Sequence, residues 1–248
     1  MREPIAMCFS GGKDSALALQ AIRQAGEYRV RTLITTVTGG YDRVSMHGVR
    51  RSLVRAQAAS LGIPLAEVAV PPEPSNEAYE RAMGREFDRQ RTAGISRIGF
   101  GDIFLEDLRE YRERQLAERG LEAVFPLWRR STARLARSFI RDGFEATAVC
   151  VSLAALDASF AGRPFDAAFL ADLPESADPC GENGEFHTFV SAGPVFARPV
   201  PVARGEVVER DGLAFCDLVA AGRSASEPPA PRRAVRRRDG RARQTTKK

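Results

Sequence analysis

Ser10-Gly11-Gly12-Lys13-Asp14-Ser15 follows the apolar run Ile5-Ala6-Met7-Cys8-Phe9 and leads into a helix-like stretch over residues 16–25. A strand, a glycine turn and a helix start in that order build an anion pocket. Two adjacent glycines let backbone N–H groups come close to phosphate oxygens, and the helix N-terminus adds a partial positive charge. Ser10 and Ser15 offer hydroxyl donors, and Lys13 offers a charge to set against phosphate oxygens. The stretch is not the G-x-x-x-x-G-K-[ST] loop, because the residue five before Gly12 is Met7 and Lys13 is followed by Asp14.

Outward from this loop, strand-like and helix-like segments alternate through the first half. Residues 29–37 and 65–70 read as strands, and 97–100 and 121–125 as two more. Helical spacing of Val49, Leu53, Ala56 and Leu61 predicts a helix over residues 49–61, ended by Gly62 and Pro64. Residues 76–92 read as a polar helix with Ser75 as N-cap. Residues 104–119, with Glu106, Arg109, Glu110 and Glu113, read as a helix with a solvated face. The alternation argues for an α/β fold, a parallel doubly wound sheet with helices on both faces. In that architecture ligands gather at the carboxyl ends of the strands, where the glycine loop lies.

The second half differs in character. Residues 131–141 predict a helix with Leu135, Phe139 and Ile140 inward, and 144–152 a strand. Pro- and Gly-broken strand-like runs follow at 188–190, 195–196, 205–208 and 213–218. This predicts a second, smaller α+β domain. The expected organisation is residues 1–127, 128–223 and a tail, 224–248, with Trp128 expected in the core between the two domains.

The tail holds nine Lys/Arg and two Asp/Glu, a net +7, so residues 1–223 carry −2 of the chain's +5. The basic character is therefore not a nucleic-acid-binding face on the fold. With Pro228, Pro229, Pro231 and almost no large apolar residue, the tail reads as a disordered solubilising extension. An arm for an anionic partner is the second reading.

An apolar fraction of 44% suits a packed globular protein, and no run approaches the roughly 18 apolar residues of a membrane span. No signal-peptide apolar region precedes the loop, so a cytoplasmic protein is expected. Cys8, Cys150, Cys180 and Cys216 lie far apart and form no C-x-x-C pair, which signals neither a zinc site nor a redox pair.

A second dense stretch is Asp178-Pro179-Cys180-Gly181-Glu182-Asn183-Gly184-Glu185-Phe186-His187-Thr188. It packs carboxylates, an amide, a thiol and an imidazole into eleven residues. The six-residue loop resembles the pyrophosphatase loop (PP-loop) of ATP-cleaving ligases and thiolases. Both stretches together resemble the diphthine–ammonia ligase (diphthamide synthetase) family. Gly101-Asp102-Ile103-Phe104-Leu105-Glu106-Asp107, Pro126-Leu127-Trp128 and Met46-His47 match that family as well, so the likeness runs from about Pro4 to Leu218. One departure is clear. The family's archaeal and eukaryotic members carry E-G-G-E-F-E-T here, whereas this chain has Asn183 for a glycine and His187 for a carboxylate, the variant associated with bacterial members.

The resemblance implies a PP-loop (HUP-type) sheet, ATP cleaved between its α and β phosphates, and Mg²⁺ shielding the charge. Ser10, Gly11, Gly12, Lys13, Asp14 and Ser15 would bind ATP, with His47 near adenine or ribose. Asp14 is expected to cap the helix in preference to approaching magnesium. Lys13, Asp102, Glu182, Glu185 and His187 are the implied catalytic set. Asp102 would face the nucleotide or the activated carboxylate, and Glu182 and Glu185 would orient an acceptor amine or ammonium. His187 would serve as a base or bond the substrate carboxylate. The implied reaction is adenylation of a carboxylate followed by transfer of ammonia or an amine, with the acceptor left open because bacteria are not expected to make diphthamide. Two other readings stand beside it. One is a PP-loop thiolase acting on tRNA, and the other a nucleotide-binding sensor without turnover.

Overall fold

The computed structural model describes residues 2–39, 42–44, 48–72 and 75–221. In chain order the elements are β1 (Glu3–Cys8), α1 (Lys13–Ala25), β2 (Tyr28–Thr38), β3 (Arg43–Val44), α2 (Arg51–Leu61), β4 (Leu65–Val70), α3 (Asn76–Thr92), β5 (Arg97–Gly99), α4 (Glu106–Ala117) and β6 (Glu122–Val124). Then come α5 (Thr132–Arg141), β7 (Glu145–Ser152), α6 (Ala167–Asp172), β8 (Phe186–Ala192), β9 (Val202–Arg210) and β10 (Leu213–Ala220).

Strands β4, β2, β1, β5 and β6 lie side by side in that order and all run parallel. The short β3 pairs antiparallel with Val37 and Thr38 at the end of β2. From β1 the chain winds outward to β2 and β4, then crosses back to β5 and β6. The winding reverses between β1 and β5, and that is where a doubly wound sheet opens a crevice for ligands.

Side-chain alternation along β1 feeds two apolar layers. Ile5 and Met7 pack with Leu17, Leu19, Leu53 and Val54 of α1 and α2. Ala6 points the other way and packs with Met83, Phe87 and Leu116 of α3 and α4. Helices therefore cover both faces, as the alternating sequence requires. Ser75 caps α3 by accepting the Ala78 N–H at 3.2 Å, and Gly26 closes α1 at φ +72°, a left-handed conformation suited to glycine.

The second sheet is antiparallel, in the order β8-β7-β10-β9. Its Phe186, Val190, Ala148 and Ala214 join the same apolar cluster as Leu17 and Leu19. Helix α1 is thus covered on one side by the parallel sheet and on the other by β8.

Three local differences from the sequence reading have simple causes. β3 is only two residues long and exists through tertiary pairing. α6 is set by Asp166, whose carboxylate accepts the Phe169 N–H at 2.8 Å, a cap that no apolar periodicity announces in so short a helix. Residues 195–196, expected as a strand, form a turn in which the Phe196 N–H reaches the Gly193 carbonyl at 3.1 Å. Trp128, expected in a core, is half-buried and lies under the Arg109 guanidinium, 4.7 Å from its ring centroid. His47 and the basic tail fall outside the described residues.

Candidate functional site

The glycine loop is held from three sides. Gly11 takes φ +84°, and its carbonyl accepts two N–H groups, from Val190 of β8 and from the Gln57 amide of α2, both at 2.9 Å. Gln57 also donates to the Val190 carbonyl at 2.6 Å. The Lys13 N–H donates to Thr188 Oγ1 at 3.0 Å, and the Ser15 hydroxyl to the Gly12 carbonyl at 2.8 Å. Ser10 Oγ accepts the Gly12 N–H at 3.3 Å. The two serines thus shape the loop from within. Helix α1 begins after Gly12 with no side-chain cap. Asp14, expected to cap it, sits inside the first turn and pairs with Lys13 instead.

The end of β5 presses against that first turn. A Cβ on Gly101 would lie 3.1 Å from the Asp14 carbonyl carbon and 3.2 Å from the Ser15 nitrogen, so the approach depends on glycine. Asp102 follows, clamped by Arg112 of α4 at 2.7 Å (Nε to Oδ2) and 3.2 Å (Nη2 to Oδ1). The Arg112 guanidinium lies 4.5 Å from the Phe100 ring centroid.

Lys13 is only 2% exposed. Its ammonium donates to Asp14 Oδ2 at 2.9 Å and to the Cys180 carbonyl, and it faces the Phe186 ring at 5.0 Å and the Phe165 ring at 5.9 Å. Burial works against its charge, yet the neighbouring negative charges, Asp14 foremost, more than offset that and hold the Lys13 pKa above the ordinary lysine value.

The loop between residues 178 and 188 closes over the same point. Glu182 Oε1 accepts the Ile103 N–H at 2.7 Å and the Phe104 N–H at 3.4 Å, reaching from the second sheet's side to the carboxyl end of β5. Burial, with the negative charges of Asp14 and Asp102 adding to it, raises the Glu182 pKa to about 7, although the Ile103 amide pulls the other way. Glu185 is buried, and its oxygens accept the Asp178 N–H at 2.9 Å and the Asn183 backbone and side-chain amides at 3.1 Å each. Burial alone would raise its pKa, but these donors win and hold it below the usual value. Asn183, the residue that departs from the family glycine, therefore supplies two of the donors that lock Glu185. His187 alternates with Thr188 along β8, so its side chain lies on the opposite face from the one that meets Lys13.

Lys13, Asp14, Asp102 and Glu182 thus meet where the parallel sheet reverses its winding, while Glu185 organises the loop above and His187 stands on the far face. Gln57 and Arg112 belong to the site as well and were not singled out by the sequence, whereas Asp178 and Thr188 stood in the dense stretch 178–188 without roles of their own. Asp178 accepts the Cys180 N–H at 2.8 Å and the Glu182 N–H at 3.3 Å, which sets the turn that carries Glu182. A signal for Gln57 did exist, since it falls one helical turn from both Leu53 and Leu61 on the inward stripe of α2.

Burial raises the thiol pKa at all four cysteines, to about 12 at Cys8 and about 11 at Cys150, so none carries thiolate character. Among the described residues no group of three or more His, Cys, Asp or Glu side chains is arranged to hold a metal. Asp14 Oδ1 is nevertheless buried and unpartnered at the loop. One such oxygen fits a magnesium ion whose other ligands are phosphates and water, the usual arrangement at triphosphate sites. No helix among the described residues is long and apolar enough to cross a membrane.

Comparison with known proteins gives a consistent result. Models of the diphthamide synthase N-terminal and C-terminal domains match residues 3–123 and 131–220. The curated diphthine–ammonia ligase of Bos taurus is 25% identical over 239 residues, with 86% of this chain and 88% of that protein covered. A solved structure from Methanocaldococcus jannaschii, titled as a predicted subunit of tRNA methyltransferase, is similar with a TM-score of 0.41 and 18% identity, over 59% of this chain and 80% of that one. The two domain models succeed each other along almost the whole described body, one over the parallel sheet and one over the antiparallel sheet, so this chain belongs to the diphthamide synthase family.

Proposed function

We propose that the protein is an ATP-dependent carbon–nitrogen ligase that adenylates a carboxylate and then passes ammonia to it, releasing pyrophosphate and AMP. Family membership supports the coarse part, an ATP-dependent ligase. The observation that carries the finer part is the convergence of Lys13, Asp14 and Glu182 at the carboxyl ends of β1 and β5, with a glycine loop beside them.

In the first step a carboxylate oxygen of the acceptor attacks the α-phosphorus of ATP, the bond to the bridging oxygen breaks, and pyrophosphate leaves. The partial positive charge at the start of α1 and the Lys13 ammonium stabilise the charge that gathers on the leaving phosphates. Magnesium, when bound at Asp14 Oδ1, would shield the triphosphate. In the second step ammonium gives one proton to the Glu182 carboxylate, which titrates near neutrality and so suits that task. The ammonia nitrogen attacks the acyl carbon, the bond to AMP breaks, and the second surplus proton passes to solvent. Asp102, fixed by Arg112, lines the nucleotide side, and His187 takes no step in this scheme.

Sulfur transfer is the weaker reading, since the four thiols are unpaired and burial keeps them protonated. The acceptor is a carboxylate on a small molecule or a protein, and diphthine on an elongation factor is one candidate for assay. The test is to incubate the full chain with ATP and ammonium across candidate carboxylates and to separate the nucleotides. AMP and pyrophosphate formed in step with amide support the proposal, and ADP as the product overturns it.

A further inference from the structure

Lys13 occupies an unexpected position for a residue that serves a triphosphate. Its backbone opens α1 beside the glycine loop, yet its ammonium is turned inward to Asp14 Oδ2 and the Cys180 carbonyl, over the Phe186 and Phe165 rings. To neutralise phosphate oxygens the side chain has to leave those partners. We infer that the space it fills is the enzyme's ammonium site. When Lys13 turns to the bound triphosphate, free ammonium takes its place between Asp14, the Cys180 carbonyl and the two aromatic faces.

The chemistry of the walls matches that ligand. Two oxygen acceptors suit an N–H donor, the carboxylate supplies the opposite charge, and the aromatic faces favour a weakly hydrated cation of this size. The site is built from both halves of the chain, since Asp14 lies on α1 while Cys180, Phe186 and Phe165 belong to the second sheet's side. The Lys13 ammonium also lies within electrostatic reach of Glu182. An ammonium held there therefore feels a second negative charge besides that of Asp14. In the structure the lysine stands in for the co-substrate, so the site is filled by the chain's own cation until ATP arrives.

This inference rests on the ligase reading above, and its test separates the two. Thermal denaturation of the full chain is followed in ammonium chloride, sodium chloride and tetramethylammonium chloride at equal ionic strength. Lys13→Ala opens the site and should gain about 3–5 °C at ammonium roughly tenfold above half-saturation, with no gain from the other two salts. Lys13→Met fills the site with an apolar chain and should gain nothing. Wild-type protein should show the ammonium-specific gain only with α,β-methylene-ATP present, and this arm stands even if Lys13→Ala fails to fold. An absent gain in both the folded Lys13→Ala variant and the analogue-bound wild type, or an equal gain in Lys13→Met, overturns the inference. If ATP–pyrophosphate exchange driven by a carboxylate persists in that case, the ligase reading survives alone. Loss of that exchange in the wild type removes the ligase reading itself.

Discussion

Gln57 donates to the Gly11 carbonyl at 2.9 Å from a position with no solvent exposure, so an amide on α2 shares with the Val190 N–H the fixing of the peptide that turns the glycine loop. The same nitrogen reaches the Val190 carbonyl of β8 at 2.6 Å. Loop, helix and second sheet are thereby joined at one atom.

Replacing that amide with a hydrocarbon of similar size tests the junction. Gln57→Leu removes both bonds and leaves buried carbonyls less well satisfied, which costs about 1–3 kcal/mol of stability. The Gly11–Gly12 peptide then keeps only the Val190 N–H on its carbonyl and is held less firmly in the geometry of the glycine loop. Nucleotide affinity, measured by calorimetry with α,β-methylene-ATP, should fall about tenfold, the equivalent of roughly one lost hydrogen bond. Unchanged affinity together with an unchanged melting temperature would show that the loop holds its shape without Gln57.

Glu182 gives a pH signature in both catalysis and stability. Its pKa is raised to about 7, so the carboxylate able to accept a proton is lost as pH falls through neutrality. The rate of amide formation should therefore drop on the acid side with an apparent pKa of about 7. Glu182→Gln should remove that limb and slow amide formation by about 10²–10⁴-fold, with ATP–pyrophosphate exchange retained. The sign for stability is separate. A carboxyl group with a raised folded pKa favours folding most at low pH, and that contribution is lost as pH rises from 4.5 to about 7. Glu182→Gln should melt above the wild type at about pH 8, and the gap should close at about pH 5. A gap that widens on acidification would contradict the burial of this carboxylate.

The parallel sheet was legible because its signals are local. Apolar strands, glycine stops and the inward stripes of α1 and α2 are each contained in a short stretch of chain, and the glycine loop fixes which strand is first. The site was legible only in part. Lys13, Asp14, Asp102 and Glu182 stand in stretches dense with functional groups, and they do converge. Glu185 looks the same as Glu182 in sequence, yet its oxygens are taken up by Asp178 and Asn183. That difference arises from how the loop folds back on itself, which residue types do not encode. Lys13 and Thr188 meet across 175 positions of chain, and Gln57 and Val190 across 133. Arg112 is one of three arginines on the charged helix α4, and only the tertiary approach of Asp102 distinguishes it.

Gly101 carries a steric prediction. The nearest atoms to an added Cβ are backbone atoms of Asp14 and Ser15, at 3.1–3.2 Å, and a helix's first turn cannot rotate out of the way like a side chain. Gly101→Ala should separate β5 from α1 by a few tenths of an ångström and cost about 1–3 kcal/mol. Because the clash falls on Asp14 and Ser15 beside the glycine loop, and Glu182 is bonded to Ile103 two residues further on, ATP–pyrophosphate exchange and amide formation should both fall. Full activity in this variant would mean that the approach of Gly101 to α1 is incidental.

The Asp102–Arg112 pair separates charge placement from mere stability. Arg112 lies over Phe100 and is ion-paired to a carboxylate that is only 11% exposed, so removing the guanidinium strands a nearly buried negative charge. Arg112→Met keeps most of the side-chain volume and should cost about 2–3 kcal/mol, the solvent left to both groups moderating the loss expected of a fully buried pair. Asp102→Asn in the same chain removes the stranded charge and should recover part of that stability. The double-mutant cycle should therefore give a coupling energy of about 1 kcal/mol or more. Activity should not recover with stability, because the neutral amide introduced by Asp102→Asn contributes no negative charge beside Glu182, and the Glu182 titration should move below its value of about 7. If the double variant regains both stability and wild-type turnover with an unmoved pH profile, Asp102 has no electrostatic part in the site and serves only to anchor α4.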